Sequence, residues 1–325
     1  MRLLKWAGAG AAGVLAILLV AFGFVYFQTQ SRINKTYEVN PDPVRIAAST
    51  FVAGEGSLSA DGRGSDDGGA RAGSMPEVLA WGKHLAVTRG CTDCHGEDLG
   101  GAVFADEMPV MRLSASNLTP GGPVSSYTDV DWVRSIRHGI RPDGKPLLFM
   151  PSYEYYYMGD QDLAALIGYL KSLPAIAREK QANRVGPLGR VLFMAGQLPL
   201  VPAEMIQHDG PRPTAPPRGA TVAYGAYLAV GCTGCHGPEF SGGPIPGVPP
   251  DWPPALNISA DPETGIGNWS REDFFRALRQ GRRPDGTELR AEYMPWPNFG
   301  QLHDDEMEAL WMYLQTVPAR AFGEK

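Results

Sequence analysis

The sequence predicts a membrane-spanning helix followed by two copies of one small domain, each of which ends in an amphipathic helix. Three observations predict this arrangement. Residues 6–27 carry no charged side chain, residues 75–174 and 220–318 share an internal repeat, and each copy ends with apolar residues at helical spacing. The chain has 325 residues, which is enough for two or three domains of this kind.

The uncharged run has the length of a transmembrane helix. As an α-helix, residues 6–27 would be about 33 Å long, enough to cross a bilayer. A cleaved signal peptide is the alternative, but its apolar region would be shorter and would end in small residues, whereas Phe22 to Phe27 is bulky. Arg2 and Lys5 favour an N-terminus in the cytoplasm and export of the remainder. The sequence therefore predicts an uncleaved, single-pass anchor in residues 1–27.

The segments that flank the repeat are polar or rich in proline. Residues 28–74 predict a flexible tether, because their composition buries too little apolar surface to offset the entropy of ordering. Residues 175–219 form a proline-rich connector with an apolar run at 188–201, which is too short to span a membrane. This run either packs in the cleft between the two domains or contacts a partner or a membrane surface. Residues 319–325 form a short tail.

Each copy of the repeat contains the pattern C-x-x-C-H. The residues are Cys91, Cys94 and His95 in the first copy and Cys232, Cys235 and His236 in the second. This pattern attaches haem through two thioether bonds and places a histidine next to the iron. A zinc site would leave the adjacent histidines unexplained, and a thioredoxin-like motif would need neither the histidine nor a second copy. The two motifs use all four cysteines and predict two covalently attached haem c groups.

The repeat also suggests a second axial ligand for each iron. Met150 and Met294 occupy matching positions, each directly before a proline. The rival ligands His138, Met158, His303 and Met307 each face a different residue type in the other copy, and Met108 and Met111 have no counterpart. Thioether sulfur stabilises ferrous iron, and the following proline restricts the loop. We therefore expect His95 to be paired with Met150 and His236 with Met294.

The two closing helices are expected at residues 160–173 and 304–317. In each of them the apolar side chains share one face, and a proline follows the last residue. Asp160 and Asp304 are the expected N-caps.

The composition restricts the possible functions. A net charge of −6 argues against a nucleic-acid partner, which requires an excess of lysine and arginine on one face. The sequence contains no convincing Ser-His-Asp constellation and no phosphate-binding glycine loop. Arg137 and Arg279 recur in the repeat and are candidates to pair with haem propionates, with ordinary solvated arginines as the alternative.

Together these features resemble two class I cytochrome c domains in tandem, over residues 75–318. The resemblance rests on C-x-x-C-H, the loop at Asn117-Leu118-Thr119, the Arg-Pro-Asp-Gly turn, Met-Pro and the closing helix. It is similar to the cytochrome c subunits of bacterial membrane-bound alcohol, aldehyde and gluconate dehydrogenases, which usually carry three such domains. The resemblance implies an all-α fold with helices and long loops around each haem. It also implies haem domains on the periplasmic side of the bacterial cytoplasmic membrane.

We therefore expect a membrane-tethered dihaem cytochrome c. It would pass single electrons between a membrane or periplasmic donor and a terminal acceptor in a respiratory or photosynthetic chain. Its expected partners are a membrane redox complex and, through residues 6–27, the bilayer. Three alternatives stay open: an electron-transfer subunit of a membrane-bound dehydrogenase, a dihaem enzyme of peroxidase-like or thiosulfate-oxidising type, and a structural subunit of a supercomplex. An enzyme would need an open axial position on one haem.

Overall fold

The computed structural model describes residues 2–44, 74–212, 214–249 and 251–324, with side chains from residue 12 onward. Over these ranges the protein is mostly helical, as predicted, with an N-terminal apolar helix α1 (Arg2–Ile33) and two similar domains. The first domain contains α2 (Met75–Thr88), α3 (Cys91–His95), α4 (Asp129–His138), α5 (Ser152–Tyr155) and α6 (Asp160–Ser172). The connector contains α7 (Pro187–Met194), and the second domain contains α8 (Val222–Ala229), α9 (Thr233–His236), α10 (Arg271–Gln280), α11 (Trp296–Phe299) and α12 (Asp304–Leu314).

In each domain the first helix crosses the closing helix at a glycine. A Cβ atom at Gly82 of α2 would overlap the carbonyl oxygen of Ala165 in α6. A Cβ atom at Gly225 of α8 would overlap the carbonyl oxygen of Ala309 in α12 in the same way. The missing side chain therefore lets the two backbones approach closely. In the second domain the apolar faces of both helices join one buried core, whereas in the first domain Val78, Trp81 and Leu85 of α2 form a separate small cluster with Ala165 of α6.

The closing helices begin where the sequence predicts, but the capping prediction was wrong. The N-cap position of α6 is Gly159, and Asp160 is its first helical residue. Instead of capping the helix, Asp160 accepts a hydrogen bond from the buried Arg137 guanidinium at 2.6 Å, and the same guanidinium donates to the Met158 carbonyl at 2.6 Å. The second domain repeats this arrangement. His303 is the N-cap residue of α12, and Arg279 donates a hydrogen bond to Asp304. Both arginines thus hold the start of a closing helix.

Helix α1 extends past its predicted end at residue 27, and the chain after it is ordered on the first domain. The amide of Tyr37 donates to the Gly144 carbonyl at 2.9 Å, and Arg134 donates from Nε to the Val39 carbonyl at 2.7 Å. Residues 34–44 therefore do not belong to a free tether. The remainder of the predicted tether, residues 45–73, lies outside the described residues.

A small antiparallel sheet, which the sequence analysis did not predict, joins the connector to the first domain. Its strands, in order, are β1 (Val103–Glu107), β2 (Met111–Ser114) and β3 (Arg184–Val185), the last of which comes from the connector. A third apolar core forms here from Met111, Leu113, Ile140, Phe193, Leu198, Leu200, Val201 and Ala203, with Ile33 and Tyr37 packed against it. The apolar run of the connector therefore packs on the first domain and on the end of α1.

Candidate haem-binding site

The first C-x-x-C-H motif forms one helical turn, α3, whereas in the second motif Cys232 ends a short 3-10 helix that continues directly into α9. Cysteines three residues apart lie on the same face of such a turn, and the histidine follows them directly. The turn ends at Gly96 in the first domain and at Gly237 in the second, with φ angles of 81° and 77°. Glycine adopts this conformation readily, so the chain can leave the turn sharply after the histidine.

Both motif histidines present the same nitrogen to the domain interior. His95 has its Nδ1 atom 2.7 Å from the Ser116 carbonyl oxygen, and His236 has its Nδ1 atom 2.7 Å from the Leu256 carbonyl oxygen. A carbonyl oxygen can only accept, so Nδ1 carries the proton and Nε2 keeps its lone pair. Burial lowers the pKa of both imidazoles and keeps them neutral. A neutral imidazole with a free Nε2 is the form that binds iron.

All of the predicted site residues line one continuous cavity. They are Cys91, Cys94, His95, Met150, Cys232, Cys235, His236 and Met294. Apolar side chains from both domains, among them Leu118, Ile136 and Leu310, form much of the remaining wall. Paired cysteines on one turn, a neutral histidine and an apolar wall fit a covalently attached haem in each domain.

The cysteine environment argues against a zinc site. Burial raises the pKa of the Cys91 and Cys232 thiols to about 12 and that of Cys94 to about 11. Zinc deprotonates the thiols that coordinate it, so the placement of the ligands, rather than the pKa of the thiols, argues against zinc. In the part of the chain that the structure describes, these cysteines do not join any group of three or more candidate metal ligands. Thioether bonds to haem require no such cluster.

The two methionine loops make the same backbone hydrogen bond. The Ser152 amide donates to the Met150 carbonyl at 2.7 Å, and the Trp296 amide donates to the Met294 carbonyl at 2.7 Å. Both methionines are partly buried and pack against the core of their own domain. The matching positions in the sequence therefore correspond to matching turns at the cavity wall.

Among the rival axial ligands, only Met158 also lines the cavity. It is 4% exposed and belongs to the core of the first domain. His138 is buried elsewhere and places its Nδ1 atom 3.1 Å from that of His208, while Met307 lies in the core of the second domain. The propionate candidates Arg137 and Arg279 are also absent from the described cavity wall.

A second cluster of possible ligands lies at the boundary between the domains. His84, His303 and Glu306 bring their ligand atoms within 4.8 Å of one another. His84 occupies the position of Tyr227 in the repeat, and Tyr227 makes the equivalent contact with a carboxylate of the other domain. Because a phenol serves equally well there, we attribute this cluster to packing between the domains.

Sequence reasoning missed that each motif turn is covered by the other domain. Asp93 of the first motif accepts a hydrogen bond from Asn298 of α11, and Glu154 of α5 lies against Gly234 of the second motif. Burial raises the pKa of Glu154 to about 7, with Arg89 acting in the opposite direction. The local sequence does not predict these contacts, because they depend on how the two domains are placed.

The chain is similar in sequence to several known cytochrome subunits. The chain is 27% identical over 266 residues to the cytochrome c subunit of a quinone alcohol dehydrogenase from Gluconacetobacter polyoxogenes, covering 73% of this chain and 55% of the relative. It is 27% identical over 276 residues to the gluconate 2-dehydrogenase cytochrome c subunit of Pantoea cypripedii, covering 74% and 59%. It is 25% identical over 287 residues to a diheme cytochrome c-type protein of Cereibacter sphaeroides, covering 76% and 90%.

The chain spans somewhat more than half the length of the two dehydrogenase subunits. The cytochrome c family model matches residues 79–174 and 222–318, which together make up more than half of the chain and contain both motif turns and both methionine loops. The chain therefore belongs to the cytochrome c family and carries two cytochrome c domains in tandem.

Proposed function

We propose that this protein is a membrane-anchored dihaem cytochrome c that passes single electrons between a membrane or periplasmic donor and a terminal acceptor. The observation that carries the proposal is the shared cavity, because both motifs and both methionine loops line it. Haem iron, when bound, supplies the one-electron carrier. The apolar wall around both motif turns limits the access of water to this carrier.

We assign the same roles to the chain's residues in both domains. Cys91 and Cys94 would hold one haem and Cys232 and Cys235 the other. His95 and His236 would donate Nε2 to iron on one side, while Met150 and Met294 would donate sulfur on the other. The carbonyl partners of the two histidines fix their ring orientation, and the prolines after the methionines restrict the loops. Ligands held in this way suit a centre that changes charge with little rearrangement.

We also propose that α1 stays attached and spans the bacterial cytoplasmic membrane, with the haem domains on the periplasmic side. Residues 12–33 are long and apolar enough to cross a bilayer, and almost none of this stretch is buried. A signal sequence would meet the same criterion. Retention of α1 is supported by a contact within residues 1–27, because the Arg190 guanidinium of α7 lies over the Tyr26 ring at 4.1 Å. Mass spectrometry of the mature protein tests this directly, since cleavage would remove residues 1–27.

We propose the following limits for the domains. We place the first cytochrome c domain at 75–174, the connector at 175–219 and the second domain at 220–318. The tail at 319–325 packs back on the second domain, because the Asn257 side chain donates to the Arg320 carbonyl at 2.7 Å.

The proposal is tested by haem content and by carbon monoxide binding. We expect two covalently bound haems per chain and no rapid carbon monoxide binding by either reduced haem, because Met150 and Met294 would each be a ligand to one iron. Rapid binding at one haem of the unmodified protein would instead favour a dihaem enzyme.

A second candidate function is that of an electron-transfer subunit of a membrane-bound dehydrogenase. It is favoured by the similarity to cytochrome subunits of quinone alcohol and gluconate dehydrogenases. Purification of the full chain from its own membranes in a mild detergent separates the two functions. A stoichiometric dehydrogenase subunit would support the second candidate, and purification as a free cytochrome would support the first.

A further inference from the structure

Several exposed apolar side chains lie near the end of α1. In the described part of the chain outside α1, few large apolar side chains are exposed, and five of them lie in this region: Met108, Leu188, Val191, Met194 and Met205, at 36–58% exposure. Isolated exposed apolar residues need no explanation, but a group concentrated at one place marks an interaction surface. We call these five residues the collar.

The collar residues come from three segments that contact one another. Leu188, Val191 and Met194 follow one side of α7 at intervals of three residues. The turn that carries Met108 packs against the start of α7, where the Leu188 amide donates to the Pro109 carbonyl at 3.2 Å. The collar is therefore continuous along α7 and the hairpin turn.

Met205 adds to the collar near Arg32 at the end of α1. It follows Glu204, whose carboxylate pairs with Arg32 at the end of α1. The Arg32 guanidinium also reaches Met194, with Nη1 3.9 Å from its sulfur. Arg32 of α1 thus contacts both α7 and the segment that carries Met205.

Two arginines fix the position of α7 along the axis of α1. The Arg190 guanidinium lies over the Tyr26 ring at 4.1 Å, and the Arg32 guanidinium lies over the Phe193 ring at 3.8 Å. Arg190 is buried, so its charge is held inside the contact rather than displayed to solvent. Tyr26 belongs to the uncharged run at 6–27, which places α7 level with the point where that run ends. Phe27, the next residue of α1, is 71% exposed.

We propose that the collar rests in the surface of the phospholipid bilayer, with the exposed side of α7 lying in the interfacial layer. This inference rests on the proposed membrane anchoring of α1. The apolar side chains of the collar, together with Phe27, then form one lipid-facing band around the point where the chain leaves the membrane. A band of this kind restrains the haem domains in one orientation relative to the bilayer, which a single anchor helix does not do.

Site-directed spin labelling of the full-length holoprotein tests the collar. All four native cysteines belong to the haem motifs, so an introduced cysteine provides a single labelling site. We choose Leu188→Cys and Val191→Cys in the collar. Phe22→Cys in α1 reports on the anchor, and Met312→Cys, an exposed apolar position on α12, is the matched control. Each labelled protein is reconstituted into vesicles of phosphatidylcholine and phosphatidylglycerol, and collisions with oxygen and with a water-soluble nickel chelate are measured.

We expect the labels at 188 and 191 to be rich in oxygen collisions and poor in nickel collisions, like the label at 22. The label at 312 should be rich in nickel collisions, as a label in water is. Water-like labels at 188 and 191 beside a lipid-like label at 22 would overturn the collar and leave the anchor intact. If the label at 22 is water-like too, the proposed membrane anchoring fails together with the collar.

Discussion

The hydroxyl group of Tyr227 in the second domain donates a hydrogen bond to the Asp162 carboxylate in the first domain at 2.6 Å. The other carboxylate oxygen accepts from the Trp81 indole nitrogen at 2.7 Å. The matching contact joins His84 of the first domain to Glu306 of the second, with the His84 Nε2 atom 2.6 Å from a Glu306 carboxylate oxygen. Because equivalent positions meet across the boundary, the two domains are related by an approximate twofold axis.

Replacing Tyr227 by phenylalanine should destabilise the protein. The variant removes the bond to Asp162 and also the one from the Gly159 amide, which donates to the same hydroxyl group at 3.0 Å. Because Asp162 is buried, we expect a loss of about 2 kcal/mol in the free energy of unfolding, measured by denaturant titration of the holoprotein. The control is Tyr157→Phe, at an exposed position, which should change stability by less than about 0.5 kcal/mol. Equal losses in both variants would contradict the role of Tyr227.

Replacing either of the proposed methionine ligands should leave one haem iron with an open coordination position and the other haem unchanged. In Met150→Ala and in Met294→Ala, both haems stay attached, because the thioether bonds do not involve methionine. The affected haem should have a lower midpoint potential and should bind carbon monoxide, so that about half of the total haem responds. Redox titration and optical spectra of the reduced protein measure both effects.

Met158→Leu is the matched control for this pair. Met158 also lines the cavity, but it is buried in the core of the first domain, where leucine conserves volume. We expect no change in carbon monoxide binding and a cost below about 1.5 kcal/mol. If Met158→Leu allowed carbon monoxide to bind and Met150→Ala did not, Met158 rather than Met150 would be the ligand in the first domain.

Stability should fall as pH rises through the range in which Glu154 ionises. Burial raises the pKa of this carboxyl group from 4.5 to about 7. Between these two values the folded protein binds more protons than the unfolded chain, so the free energy of unfolding decreases with increasing pH. The shift corresponds to about 3 kcal/mol in total, lost between about pH 4.5 and pH 7.

Glu154→Gln isolates this contribution. Glutamine has similar shape and does not titrate, so the difference in stability between variant and parent should change by about 3 kcal/mol between about pH 5 and pH 8. Denaturant unfolding of both holoproteins across this range provides the measurement. A pH profile that is identical in the two proteins would show that Glu154 is not buried in the way described.

Alanine at the helix-crossing glycines should destabilise both domains. A Cβ atom at Gly82 or Gly225 overlaps a backbone carbonyl, which cannot move aside as a flexible side chain can. We expect each substitution to cost about 3 kcal/mol or more, seen as a reduced yield of holoprotein and a lower unfolding midpoint. Gly23→Ala is the control, because a Cβ atom there meets no atom within 4 Å. Comparable effects at Gly23 would contradict the steric explanation.

Repetition explains why much of this fold was predictable. The pairing of C-x-x-C-H with Met-Pro and a closing helix occurs twice, so a chance feature of one copy can be recognised by its absence from the other. The starts of α6 and α12 were predicted at Asp160 and Asp304, where they occur. The caps were misassigned because each aspartate binds an arginine from another helix, and this tertiary contact outweighs the local preference.

The remaining features depend on distant parts of the chain. Strand β3 is two residues long and pairs with β2 from the first domain, so no local alternation of apolar residues announces it. Helix α1 continues to Ile33 because Arg190 and Phe193 of the connector pack against its end. The contact between Glu154 and Gly234 requires both domains to be in place, and a linear sequence does not record that placement.

The mutual covering of the motif turns has a consequence for how the two repeats can diverge. Asp93 meets Asn298, and Glu154 meets Gly234, so a substitution in one repeat changes the surroundings of the cofactor site in the other. The sequences of the two repeats therefore cannot change independently of each other, although each repeat has the architecture of a complete domain. A single domain excised from this chain would expose a motif turn to solvent, and an exchange between related proteins should succeed only when both halves are transferred together.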